Sequence, residues 1–126
     1  MKKLGIYMES KSANLIEFTL DLLKVKFVNS SFNLFEHKEL KQQDINHIEY
    51  TEPYLQKDYF NKLSESILYY NEVLLFGKPK VAKELFDSIA NDNRFYNIKI
   101  VIKKTHKMTS NQQNDFVSNY FLLDHL

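Results

Sequence analysis

The stretch Val73-Leu74-Leu75-Phe76-Gly77-Lys78-Pro79-Lys80-Val81-Ala82-Lys83-Glu84-Leu85-Phe86 decides the fold class, because its apolar period changes halfway along. Val73 to Phe76 is a continuous apolar run, the pattern of a short strand covered on both faces, as in a parallel sheet. Gly77 breaks it. From Pro79 the apolar residues return at helical spacing, with Ala82, Leu85, Phe86 and Ile89 on one face, which predicts a helix to about Ala90. Proline suits a first helical turn, where the N–H it lacks has no intrahelical partner. Strand, glycine turn and amphipathic helix together form part of a right-handed crossover unit.

Downstream, Asn91-Asp92-Asn93 is a stop, and Ile98 to Ile102 reads as the fifth strand. Thr109-Ser110-Asn111-Gln112 is a capping box, in which a hydroxyl and an amide side chain satisfy orphan helix donors reciprocally. The helix it opens turns Phe116, Val117, Tyr120 and Phe121 inward. Upstream, Thr51 and Pro53 open a long amphipathic helix carrying Leu55, Tyr59, Leu63, Ile67 and Tyr70. The first third alternates instead. Leu4 to Met8, Ala13 to Phe18 and Val25 to Val28 read as three antiparallel strands, the first two joined by the polar turn Glu9-Ser10-Lys11-Ser12. Residues 30 to 51 read as a loop of a length that marks either a mobile or a partner-facing segment. The expected order is β-β-β-α-β-α-β-α over a single domain, 1–126. That order predicts an α/β fold with a mixed five-stranded sheet flanked by helices, the ribonuclease H-like arrangement.

Composition narrows the function classes. The chain has 126 residues, 44% hydrophobic and 26% charged, enough for one domain with its own core. It has no cysteine, which excludes disulfides, iron–sulfur clusters and thiol chemistry. Only Gly5 and Gly77 are glycine, so neither a dinucleotide fingerprint nor a Walker loop is present. Sixteen lysines and a single arginine, Arg94, argue against bidentate phosphate clamps. With a net charge of +1, nucleic-acid binding requires a local patch. No apolar run reaches the ~20 residues of a membrane span and no signal-peptide core opens the chain, so a cytoplasmic, non-membrane protein is expected.

Two motifs carry a resemblance. The segment Leu74 to Phe86 resembles the strand, glycine turn and helix of the central domain of eukaryotic- and archaeal-type class 1 peptide release factors and of Pelota. It is similar also to small bacterial relatives of that domain, in which the strand runs into Gly-Pro-Gly-x-x-Lys; here Lys78-Pro79-Lys80 stands in that place. Lys104-Thr105-His106-Lys107-Met108-Thr109-Ser110-Asn111-Gln112 is similar to their Thr-x-x-Lys-Met-Thr-x-Asn-Gln. The resemblance spans nearly the whole chain and implies the ribonuclease H-like fold and an association with translation. It implies no catalysis, because the Gly-Gly-Gln loop of release factors is missing: no two glycines are adjacent.

Topology places the candidate site. Ligands of open α/β sheets sit outside the carboxyl ends of parallel strands. If the fourth and fifth strands run parallel to the first, one loop there carries Lys78, Lys80 and Lys83, and another carries Lys103, Lys104 and Lys107. Each loop leads to a helix N-terminus that favours anions. Gly77, Thr109 and Gln112 are the structural residues of the rim. The expected function is a non-enzymatic module that binds RNA or the ribosome there. The alternative is a homodimeric protein-interaction module using the aromatic residues Phe32, Phe35, Tyr50 and Tyr54 of segment 32–54. A third class, an enzyme acting on a small phosphorylated ligand at the rim, is weaker. A metal-dependent nuclease would need clustered carboxylates, and Glu9, Glu65 and Asp115 are the candidates, but the fourth strand ends without an acid. His37, His47, His106 and His125 lack ligand spacing, and neither a metal nor a cofactor is expected.

Overall fold

The computed structural model describes residues 2–21, 24–33 and 52–123. In chain order the elements are β1 (Lys2–Met8), β2 (Ser12–Asp21), β3 (Lys24–Asn33), α1 (Glu52–Ile67), β4 (Glu72–Gly77), α2 (Pro79–Ile89), a 3-10 turn (Asn93–Phe95), β5 (Lys99–Lys104) and α3 (Ser110–Leu123). The strands form one sheet in the order β3-β2-β1-β4-β5. β1 is antiparallel to β2, which is antiparallel to β3, whereas β4 is parallel to both β1 and β5. The fold is therefore mixed α/β, with a meander on one side and crossover units on the other.

β1 and β4 read as unbroken apolar runs because helices cover the sheet on both faces. On one face Leu4, Ile6, Met8, Val73 and Leu75 pack with Leu63 and Ile67 of α1 and Ala82, Leu85 and Ile89 of α2. On the other, Tyr7, Ile16, Phe18, Leu74 and Phe76 pack with Val117 and Phe121 of α3. Complete burial of one such side chain contributes about 1.5–3 kcal/mol, so these two layers are the main driving force for the fold. α3 comes very close to the sheet. A Cβ on Gly5 would lie 2.4 Å from Val117 Cγ2, so only glycine admits the helix there.

Four expectations need correction. β3 continues to Asn33, through residues 30–33 whose polar pattern predicts a loop; Asn29 to Asn33 stay paired with Ile16 to Ser12 because the long β2 offers them a ladder. An edge strand tolerates such polar residues, because its outer side need not be apolar. Tyr70 lies beyond the end of α1, in a turn, and donates to Glu17 Oε1 at 2.5 Å. Phe86 is half-buried and Val81 takes its place: Val81, Ala82, Leu85 and Ile89 form the inward stripe, and Phe86 lies about 100° around the helix from Leu85. Finally, Lys103 and Lys104 are not in a loop but close β5, paired with Phe76 and Gly77. Lys80 and Lys83 likewise belong to α2. Residues 34–51, with Phe35 and Tyr50, lie outside the described residues, as do the side chains of Phe32 and Tyr54.

Candidate functional site

Three parallel strands end flush: Met8, Gly77 and Lys104 share one register line. Two backbone bonds knit the ends together, Lys78 N–H donating to Met8 O at 3.0 Å and Thr105 N–H donating to Gly77 O at 3.2 Å. Gly77 turns the chain with φ of 104°, and a Cβ there would lie 2.5 Å from Met8 O, so this turn excludes other residues on two counts. Lys78 then serves as the N-cap of α2 with extended backbone and no side-chain cap. Its ammonium reaches Ser10 Oγ of the β1–β2 turn at 3.4 Å.

All six rim lysines are exposed. They do not form one row, because successive residues of a strand face opposite ways. Lys103 lies on the α3 side, its ammonium 5.5 Å from the centre of the Tyr120 ring. Lys104 is on the opposite face, the side of α2 with Lys80 and Lys83. Lys78 stands between them at the strand end, and Lys107 lies in the turn before α3. Among the described residues none of the six pairs with a carboxylate.

The turn after β5 is held firmly. Met108 N–H donates to the Tyr7 hydroxyl at 3.0 Å, Gln113 Nε2 donates to Met108 O at 3.0 Å, and Asn14 Nδ2 donates to Gln113 Oε1 at 3.1 Å. The capping box is formed: Thr109 N–H donates to Gln112 Oε1 at 2.9 Å and Gln112 N–H to Thr109 Oγ1 at 3.3 Å. Sequence reading missed Tyr7, Asn14 and Gln113. A signal existed for Gln113, since Gln113, Val117 and Phe121 follow one helical seam and only the first is polar. A buried amide in an apolar seam must have partners.

The candidate nuclease acids are not brought together. Glu9 follows β1, while Glu65 and Asp115 are exposed on α1 and α3. Between the carboxyl ends of β1 and β4 and helix α3 the space is aromatic: Tyr7 and Phe76 rings lie 5.4 Å apart, and Phe76 stacks on Phe116 at 5.0 Å. Among the described residues no three His, Asp or Glu side chains group to hold a metal ion. His106 is exposed; His37, His47 and His125 lie outside the described residues. On the α1 side, Tyr59 is 2% exposed and its hydroxyl has no hydrogen-bond partner among the described residues. Burial first, and then the charge of Glu9, push that hydroxyl above the usual tyrosine range.

One groove, of about 500 Å³, runs between α1 and α2 over Phe60 and Ile89. Among its charged groups, Glu84 accepts from Gln56 Nε2 at 3.2 Å and Asp92 pairs with Arg94 at 2.7 Å. The side-chain bond from Arg94 is the main cause holding the Asp92 carboxyl below the usual range. No helix is long and apolar enough to cross a membrane among the described residues.

No family model and no curated protein matches the chain. Among solved structures it is similar to an archaeal protein at 11% identity and a TM-score of 0.56, over 98% of this chain and 39% of that one. It thus spans well under half of that protein. The fowlpox virus Holliday junction resolvase matches at 10% identity and a TM-score of 0.49, over 98% of this chain and 74% of that one. A Ppx/GppA family protein of Aquifex aeolicus matches at 10% identity and 0.40, over 82% of this chain and 35% of that one. At such identities the archaeal match speaks to the fold alone.

Proposed function

We propose that this chain is a non-catalytic, cytoplasmic module that binds RNA or the ribosome through its lysine-rich rim. In this reading its fold is ribonuclease H-like, and it is related to the central domain of class 1 release factors and Pelota. The observation that carries the proposal is the rim itself: six exposed lysines around three flush strand ends, none paired with a carboxylate among the described residues. Unpaired ammonium groups beside a helix N-terminus that lacks a side-chain cap attract phosphate oxygens. Lysine suits such a role as a point charge without sequence readout. Aromatic packing where a nuclease would hold its metals supports binding without cleavage. The homodimeric alternative rests on segment 32–54, most of which lies outside the described residues.

Sedimentation of cell lysate through sucrose gradients at low and high salt tests the reading. Co-migration with ribosomal particles that fades as salt rises supports it, since phosphate contacts release counterions. The variant Lys80→Glu/Lys104→Glu is expected to abolish that co-migration. A protein that stays at the top of the gradient at both salts would refute the ribosome reading, and salt-insensitive co-migration would refute the electrostatic one.

A further inference from the structure

β5 is the outermost strand on its side of the sheet. The N–H groups of Lys99 and Thr105 donate inward, to Asn71 O at 2.9 Å and Gly77 O at 3.2 Å. Backbone groups of a parallel strand alternate in direction, so the amides and carbonyls of Ile100, Ile102 and Lys104 face away from β4. Among the described residues they meet no hydrogen-bond partner. An open ladder of this kind is a template for another strand. Here it is flanked by apolar shoulders on both faces. Ile100 and Ile102 are half-buried on the α2 side and Val101 on the α3 side, whereas every residue of the neighbouring β4 is buried. Three residues before β5, Tyr96 is 70% exposed.

Charge selects the occupant. No acidic residue occurs from Lys99 to Met108, and β5 itself carries Lys99, Lys103 and Lys104. A second copy is disfavoured: any antiparallel pairing of β5 with itself brings three lysines against three with no acid between them, and centring it on Val101 sets Lys99 opposite Lys103 twice; like charges across a ladder destabilise it. Nucleic acid could meet the lysines but has no alternating amides and carbonyls for the ladder. We infer that the edge of β5 accepts an extended acidic peptide segment by strand addition. Its backbone would pair with Ile100, Ile102 and Lys104, and its carboxylates, sharing one face of the added strand, would meet Lys103 or Lys104. Lysines that block self-association thus serve as the specificity element for an acidic strand. This inference is independent of the RNA reading, because it needs the outward amides and not only the charges.

Fluorescence anisotropy on the full chain tests it, using a short labelled peptide alternating valine and glutamate. Its counterparts carry lysine in place of glutamate, or N-methyl groups on alternate amides. The acidic peptide is expected to bind, with the lysine and N-methyl versions each weaker by about tenfold or more. Ile100→Pro removes an outward amide while sparing the bonds to β4, and should weaken binding of the acidic peptide by a similar factor. Ile100→Thr, which keeps the amide, should retain it. Equal binding of the acidic and N-methylated peptides would overturn the inference, as would absence of binding by the acidic peptide. The methylated-peptide comparison leaves the protein unaltered, so a poorly folded proline variant cannot obscure the answer. An acidic peptide that binds as well after Ile100→Pro, in a folded variant, would reduce the edge to a charged surface.

Discussion

Lysines sit at both ends of the parallel strands, and the two ends treat them in opposite ways. At the amino ends, Lys3 is buried and ion-paired with buried Glu72, and Lys99 joins from β5 with its ammonium 3.7 Å from the same carboxylate. That arrangement ties β1, β4 and β5 together. Nearby, the Tyr70 hydroxyl donates to Glu17. At the carboxyl ends, Lys78, Lys80, Lys83, Lys103, Lys104 and Lys107 are exposed and lack carboxylate partners, and the Tyr59 hydroxyl is buried without a partner among the described residues. The difference separates two roles for one residue type. A buried, paired lysine specifies which strands meet, whereas exposed, unpaired lysines leave a field available to a ligand.

The strongest way to break this comparison is at the paired end. Glu72→Leu strands the Lys3 ammonium in the core and is expected to cost about 3–5 kcal/mol in urea unfolding. Lys3→Met/Glu72→Leu should recover most of the loss, because apolar residues of similar volume often replace a buried ion pair without penalty. A double variant as unstable as the single would show that Lys3 is not held by Glu72.

The tyrosines sharpen the contrast with opposite signs. Tyr70→Phe deletes a bond to a carboxylate and should destabilise by about 1–2 kcal/mol, while Tyr59→Phe deletes an unsatisfied buried hydroxyl and should stabilise by about 1 kcal/mol. Both hydroxyls are raised above the usual tyrosine range, chiefly by burial, Glu17 and Glu9 adding to the effect at Tyr70 and Tyr59. The fold therefore prefers the protonated forms. Their stabilising contribution is complete below about pH 10 and lost as pH rises through the folded values. Chemical denaturation from neutral to strongly alkaline pH should show stability falling above about pH 10, less steeply in the double phenylalanine variant. An unchanged slope would show that other groups govern the alkaline transition.

Smaller effects belong to the open end. Thr109→Ala should cost about 1 kcal/mol by freeing the Gln112 N–H that its hydroxyl caps, read as a shift in denaturation midpoint. Lys80→Glu/Lys104→Glu should change stability by no more than about 0.5 kcal/mol, since exposed groups without partners contribute little. A large loss of stability there would mean that these lysines are structural, and the contrast between the two ends would fail.

Much of the architecture was legible along the chain. The period switch at Gly77, the capping box at Thr109 and the alternation of the opening hairpin are local signals, each set by residues a few positions apart. The errors came where neighbours in space overrule local pattern. Asn29 to Asn33 extend β3 because β2 offers a partner, and Lys103 and Lys104 stay in β5 because Phe76 and Gly77 continue the ladder beside them. Phe86 looks inward by hydropathy, but the stripe that meets the sheet passes through Val81 and Leu85 instead.

The candidate site divides the same way. Lysine content, scarcity of glycine and absence of cysteine were properties of the sequence alone, and they excluded whole classes of chemistry before any fold was known. Only the tertiary structure could decide which lysine is buried against Glu72 and which stay exposed without a carboxylate partner among the described residues, because pairing across 69 positions leaves no local trace. It alone set Lys103 and Lys104 on opposite faces, joined Tyr7 to Met108 across 101 positions, and left the outward amides of β5 without a partner among the described residues. Short-range periodicity is dictated by backbone geometry, but long-range pairing depends on which surfaces the folded chain buries together.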